Sequence, residues 1–469
     1  MASAIGLGLL QLVGCDAVEP ACTPHKCRVE FSIAHECRND YCVEVEKPAA
    51  VDCEPVLEAS MTLGSSTATR VALLGVLIDT KNPNQSNARF EIVRSVVRQA
   101  NEATPSLKLG LLKCSYAVTE VDANNQRILA DISDYLTRLG VAVVIGPSSS
   151  YAARLLLTSD LPARSPDFVM ISPSATLADL QERDRSERLF RTTPADTAQI
   201  ETLVDVIEHE SHLQAILPVV QRDAYGRSLS EAITARVHGE RIRKRFEFAD
   251  LGKDGDRDNL AVELDLAPDA LLVVARDGTQ IAKLFEFLIE HPQYEPERIF
   301  VADGAANDPT MAPVLEQECD EGTYCLRDHV IGTRPQTSGQ ETFVLPGGGY
   351  YSDDYVPFVH DAAWLAVYAL HYSHAHGAPG INPAEVRSAL AHHLQMSSVG
   401  TAPQKVRSDQ TTILDEITEP DFVGLDLTGY SGPLDFDAEG DVSGAFELWH
   451  LIGGKRETYT PATENGVLP

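Results

Sequence analysis

The chain has 469 residues, 43% hydrophobic and 23% charged, the balance of a folded globular protein and not of a disordered or fibrous one. That length fits two lobes with additions. Its 69 acidic residues against 38 basic ones leave a formal net charge of -31, a surface field that repels phosphate backbones and argues against a nucleic-acid partner.

From Ala2 to Gly14 the chain is apolar apart from Ser3 and Gln11, a run too short to span a bilayer. It ends in Leu12-Val13-Gly14-Cys15, which resembles the lipobox of bacterial lipoproteins. That resemblance implies a leader segment over residues 1–15 that is cleaved just before Cys15, lipid on Cys15 as the new N-terminus, and a chain tethered to a membrane in the cell envelope, on its periplasmic face. A Cys-rich segment, 16–53, follows. Five cysteines (Cys22, Cys27, Cys37, Cys42 and Cys53) crowd it at spacings that lack the paired C-x2-C knuckles of common zinc sites, so disulfides are expected to replace a core there. Cys319 and Cys325 are expected to pair with each other, which leaves Cys114 as partner for one of the five. Residues 54–69 are Ser/Thr-rich without pattern and read as a linker.

Beyond the linker, apolar runs of strand length alternate with helical spacing. Strands are expected at 71–78, 107–112, 141–145 and 168–172, with helices at 89–101, 123–139 and from Tyr151. A second set has strands at 213–220, 270–275 and 298–302 and a helix at 228–237. Such alternation predicts α/β lobes built on doubly wound parallel sheets. In open sheets of this kind ligands lie beyond the carboxyl ends of the strands. Two such ends are rich in hydroxyls: Gly146-Pro147-Ser148-Ser149-Ser150, and Ser172-Pro173-Ser174-Ala175-Thr176. Hydroxyls at a helix N-terminus suit a carboxylate, although serines that only cap the helix satisfy the same local pattern.

Several motifs then recur in order: Ile145-Gly146-Pro147-x-Ser-Ser, Ile171-Ser172-Pro173-x-Ala175-Thr176, Phe190-Arg191-Thr192-x-Pro194-x-Asp196, Asp223-x-Tyr225-Gly226, and Gly432-x-Leu434-x-Phe436-Asp437. In this order and spacing, from about Arg70 to Gly454, the chain resembles the type I periplasmic binding proteins of the branched-chain amino acid receptor class. The resemblance implies a first lobe of 70–193 with 334–443 and a second of 194–333 with 444–469, joined by three hinge crossings near 192–196, 331–335 and 443–446. It implies that Ser149, Ser150 and Thr176 hold a ligand carboxylate, that the Ser174 carbonyl and Asp303 hold its ammonium, and that Tyr225 packs on the ligand. Arg276, at another strand end, is a candidate counter-charge for an acidic ligand.

Each residue has a plainer reading. Asp303 caps a turn, Tyr225 is a half-buried aromatic, and Arg276 pairs with surface carboxylates. The implied function is capture of an amino acid or related small molecule for an ABC-type permease, without catalysis, cofactor or metal. The alternative is an envelope sensor or interaction lipoprotein with a repurposed cleft. The polar, Gly-free stretch 79–85 is where the chain departs from the family pattern and leaves ligand identity open. Asp435 to Asp441 resembles an EF-hand opening but has Phe446 where a bidentate Glu is required. His371, His374 and His376 are expected at a solvated helix end, and no G-x-S-x-G elbow supports a hydrolase.

Overall fold

The computed structural model describes residues 35–38, 41–56, 70–80, 83–104, 106–117, 123–158, 167–184, 187–305, 311, 313–314, 317, 324–338, 343–344, 350–351, 354–377, 381–394, 405–407, 411–452 and 455–461. The expected leader, Cys15 and Cys319 lie outside these residues. No described helix is long and apolar enough to cross a membrane.

Strands are numbered along the chain: β1 (His35–Arg38), β2 (Tyr41–Glu44), β3 (Asp52–Val56), β4 (Arg70–Asp79), β5 (Leu107–Tyr116), β6 (Val143–Ile145), β7 (Val169–Ser172), β8 (Leu189–Arg191), β9 (Ile216–Gln221), β10 (Phe246–Phe248), β11 (Ala270–Val274), β12 (Arg298–Val301) and β13 (Val330–Pro335). Then come β14 (Phe343–Val344), β15 (Tyr350–Tyr351), β16 (Lys405–Arg407), β17 (Asp426–Thr428), β18 (Phe446–Ile452) and β19 (Lys455–Thr458). Two sheets dominate, in the orders β3-β5-β4-β6-β7-β8 and β10-β9-β11-β12-β13-β18-β19.

The core strands read as unbroken apolar runs because both of their faces are covered. Along β4, Ala72, Leu74, Val76 and Ile78 enter one core, shared with the helices Pro83–Ala103 and Val356–His376. Leu73 and Leu77 enter the opposite core, with the helices Ala123–Arg138 and Ser150–Leu157. In the second sheet β9 does the same, with Leu217 and Val219 on one face and Ile216 and Val220 on the other.

Pairing is parallel from β5 to β8 and from β10 to β13, whereas β3, β18 and β19 add antiparallel edges. In each sheet the first crossover runs one way and the next the other. Each therefore has a switch point, between β4 and β6 in the first lobe and between β9 and β11 in the second.

The chain passes between the lobes three times. After β8 it enters the helix Asp196–His209, which packs on β13 and β18. It returns to the first lobe after β13 and leaves it again before β18. The last two crossings are paired antiparallel, Pro335 opposite Phe446, and Gln336 N donates to Ala445 O at 2.8 Å.

The Cys-rich segment is not a separate body at its end. Strand β3 joins the first sheet, and Cys53 is disulfide-bonded to Cys114 on the neighbouring β5. Glu54 to Val56, assigned by composition to the linker, continues that strand. Cys325 is also disulfide-bonded. His371 departs from expectation more sharply: it is fully buried in the helix Val356–His376, which is apolar nearly all round, and burial pushes its ring down to about 3.

Candidate functional site

The loops at the two switch points face each other and border a cleft of about 890 Å3, open mouth included. The first lobe supplies Asp79, Ser86 and Arg89 after β4, Ser148 and Ser150 after β6, Ser174 and Thr176 after β7, and Tyr355. The second supplies Tyr225 after β9, Arg276 and Asp277 after β11, and Asp303 after β12. Three helices begin at these loops. Their N-caps Ser149, Asp223 and Asp277 accept from the backbone N–H groups of Ala152, Gly226 and Thr279. Helix starts carry partial positive charge, so the surroundings favour anionic groups.

Of the residues singled out from sequence, Ser150, Ser174, Thr176, Tyr225, Arg276 and Asp303 line this one cleft. Ser149 does not. Its hydroxyl caps the helix, accepting from Ala152 N, while Ser150, one position on, lines the cleft. Ser150 Oγ accepts from Leu177 N at 3.2 Å, and its own proton remains to be donated. Ser174 Oγ donates to Ser148 O (3.1 Å) and accepts from Arg89 (3.2 Å).

Asp303 is buried at the floor of the second lobe's wall. Its carboxylate accepts from Gln199 Nε2 at 3.0 Å, from the Tyr225 hydroxyl and, across the cleft, from the Tyr355 hydroxyl. Burial and the facing Asp303 charge raise both phenols well above their ordinary value, so they act as neutral donors. Tyr225 thus orients the acid as well as bordering the space. Gly304 lets the loop after β12 press against β11, where a Cβ would run into the Ala275 carbonyl. Nearby, Asp196 is buried at the first crossing. Burial and then Asp303 raise its carboxyl to about 7, opposed by the Thr176 hydroxyl and Arg191.

Arg276 pairs not with surface carboxylates but with Asp79 of the other lobe, at 3.4 Å. Arg89 and Tyr355 were not picked out from sequence, and Asp196 was noted only within a motif at the first crossing. Arg89 sits within the helix Pro83–Ala103 and stacks over the Tyr355 ring at 5.4 Å. The EF-hand-like run is used internally: Asp437 Oδ1 accepts from the N–H groups of Glu439 and Asp441, and Asp441 pairs with Arg191. Among the described residues no group of three or more His, Cys, Asp or Glu is placed to hold a metal ion.

A family model described as "Receptor family ligand binding region" matches residues 97–454. The chain belongs to this family. Its fold is that of the type I periplasmic binding proteins, which bind ligands rather than transform them. Among solved structures it is similar to LivJ, the branched-chain amino acid transporter substrate-binding protein of Streptococcus pneumoniae in complex with isoleucine, at 14% identity and a TM-score of 0.59. It is also similar to the leucine-binding protein LivK of Thermotoga maritima, at 14% identity and a TM-score of 0.58. A third is the ABC transporter substrate-binding protein of Desulfitobacterium hafniense in complex with Leu, at 18% identity and a TM-score of 0.51. These likenesses are of fold; they cover 83% of this chain and 98%, 98% and 100% of the three structures. Comparison with curated proteins finds no match.

Proposed function

We propose that this chain is an extracytoplasmic binding protein that captures an amino acid or related small polar ligand between its lobes for uptake through an ABC-type permease. One observation carries the reading. Hydroxyl donors and Arg89 on the first lobe's wall face a buried acid, Asp303, on the second, across a single cleft at both switch points. A zwitterion placed there finds donors for its carboxylate at Ser150, Thr176 and Arg89, and a fixed negative charge for its ammonium at Asp303. Burying either ionic end without a partner costs several kcal/mol, on the order of the penalty for an unpaired buried charge. A ligand that touches both lobes favours the arrangement in which they are close. The apolar leader ending at Cys15 supports lipid anchoring in the envelope, and a Cys15→Ser chain is then recovered free of the membrane fraction.

The test is thermal denaturation of the full chain with a panel of amino acids and short polar acids. At least one raises the melting temperature, and Asp303→Asn, nearly isosteric, loses that shift. A panel with no stabilising member, or a shift retained in Asp303→Asn, overturns the proposal.

A further inference from the structure

Tyr355 and Asp303 meet across the cleft where the ligand's ammonium is placed. A second contact between the lobes, Arg276 with Asp79 at 3.4 Å, borders the same cleft but holds neither ionic end of a zwitterion. Strand order sets it apart from the hydroxyls. Along the first wall Asp79 ends β4, Ser150 follows β6 and Thr176 follows β7, and these strands are successive neighbours in the sheet. Asp79 therefore stands on the side of the cleft away from Thr176. On the second wall Arg276 follows β11, beside Asp303 after β12.

Each member of the pair is held by its own backbone contacts. The N–H groups of Arg276 and Asp277 both donate to Gln221 Oε1 at 3.0 Å, and Asp277 Oδ1 caps the helix Gly278–Glu290 by accepting from Thr279 N. Asp79 lies in register with Tyr116 of β5, and its carbonyl accepts from the Ser86 hydroxyl. The Arg276 and Asp79 side chains are 26% and 12% exposed, so the pair is largely withdrawn from water. Among the described residues that border the cleft none is Ala, Val, Leu, Ile or Met, and the rings there are those of Tyr225 and Tyr355.

We propose that the Arg276–Asp79 pair sets the specificity of the cleft and selects an amino acid whose side chain ends in a neutral carboxamide, the chemistry of glutamine and asparagine. This rests on the amino-acid reading and narrows it. The carboxamide oxygen accepts from the Arg276 guanidinium while its NH2 group donates to the Asp79 carboxylate, so one neutral group serves both ions. An acidic side chain at Arg276 lies beside Asp79, and a cationic one at Asp79 lies beside Arg276. Either brings like charges together in a site shielded from water. An aliphatic side chain covers the same polar groups without bonding to them, and sites built for hydrogen bonds reject an analogue that lacks them. Arg276 is then not a counter-charge for an acidic ligand, because Asp79 already stands against it.

Calorimetry on the full chain, with glutamine, asparagine, glutamate, lysine and leucine as probes, tests this. The better of the two amides binds about 100-fold or more tighter than leucine, and about tenfold or more tighter than glutamate and lysine. Asp79→Asn removes the negative member and keeps Arg276, so the preference for the amide over glutamate falls by about tenfold or more. Arg276→Gln does the same to the preference over lysine. The two variants lie on different lobes, so if one fails to fold the other decides. Affinity lost equally for all probes marks a merely structural contact and overturns the proposal. Leucine, glutamate or lysine binding as tightly as the better amide overturns it while leaving the amino-acid reading in place, as does silence from all five alongside a melting shift from another amino acid. Silence from every amino acid overturns both.

Discussion

Arg191→Met is expected to destabilise the protein and loosen its cleft together. The guanidinium is fully buried: Nε donates to Asp441 Oδ1 at 2.5 Å, a second nitrogen pairs with Oδ2, and Nη1 donates to the carbonyls of Ala175 and Leu177 at 3.2 and 3.0 Å. Removing one partner of a buried ion pair costs about 3–5 kcal/mol, chiefly because the other charge is stranded. The Asp441 side chain is 15% exposed and also accepts from Gln181 at 2.6 Å, so part of its charge stays solvated and the lower end applies. Each carbonyl left without its donor adds on the order of 1 kcal/mol.

A loss of about 5 kcal/mol corresponds to a fall in melting temperature on the order of 15 °C for lobes of this size. Because Ala175 and Leu177 flank Thr176, the cleft ligand binds more weakly in the same variant. Calorimetric melting of Arg191→Met, Asp441→Leu and the double variant supplies the check, with the double variant losing much less than the sum of the singles. Additive losses, or a fall of under about 2 °C for Arg191→Met, would refute the reasoning.

Asp196 predicts a slope in stability against pH. Its carboxyl moves from 3.8 to about 7 on folding, so between these values the native chain keeps a proton that the unfolded chain has lost. The associated stability is complete below about pH 4 and disappears as pH rises through 7. Melting temperatures from pH 5 to 8 should fall more steeply for the natural chain than for Asp196→Asn, and parallel curves would contradict this. The bond between Cys53 and Cys114, 61 residues apart, closes a long loop; replacing both by serine should cost about 4 kcal/mol in the chain-entropy picture. Limited proteolysis should then cut near β3 first, and cleavage no faster than in the natural chain would count against the edge strand's dependence on the bond.

Legibility from sequence followed the physics of burial. The run at β4 was plain because a strand covered on both faces is apolar at successive positions, as Val71 to Ile78 are. By contrast β10, Phe-Glu-Phe, is too short to show a period, and the helix Asp254–Leu264 buries only Leu260 and Leu264. Of the helix Val356–His376 only the end, at His371 to His376, was read, since a helix enclosed on nearly all sides has no polar face to reveal a turn of 3.6 residues. In the cleft, the hydroxyl loops were found because strand ends in open sheets are where ligands lie. That Ser149 caps the helix while Ser150 lines the cleft depends on where the helix begins, a phase that local sequence does not carry. Arg89 reads as an ordinary charged helix residue. Only the docking of Tyr355 from the far end of the chain, 266 positions later (355 minus 89), turns it into part of a wall.

Strand β3 has a mechanical consequence. It is laid along β5 and cross-linked to it, so any load carried by the N-terminal segment passes directly into the first sheet and not through a crossing between lobes. A chain held by that end has one stator and one moving arm: the first lobe keeps its orientation to whatever holds it, and the second swings.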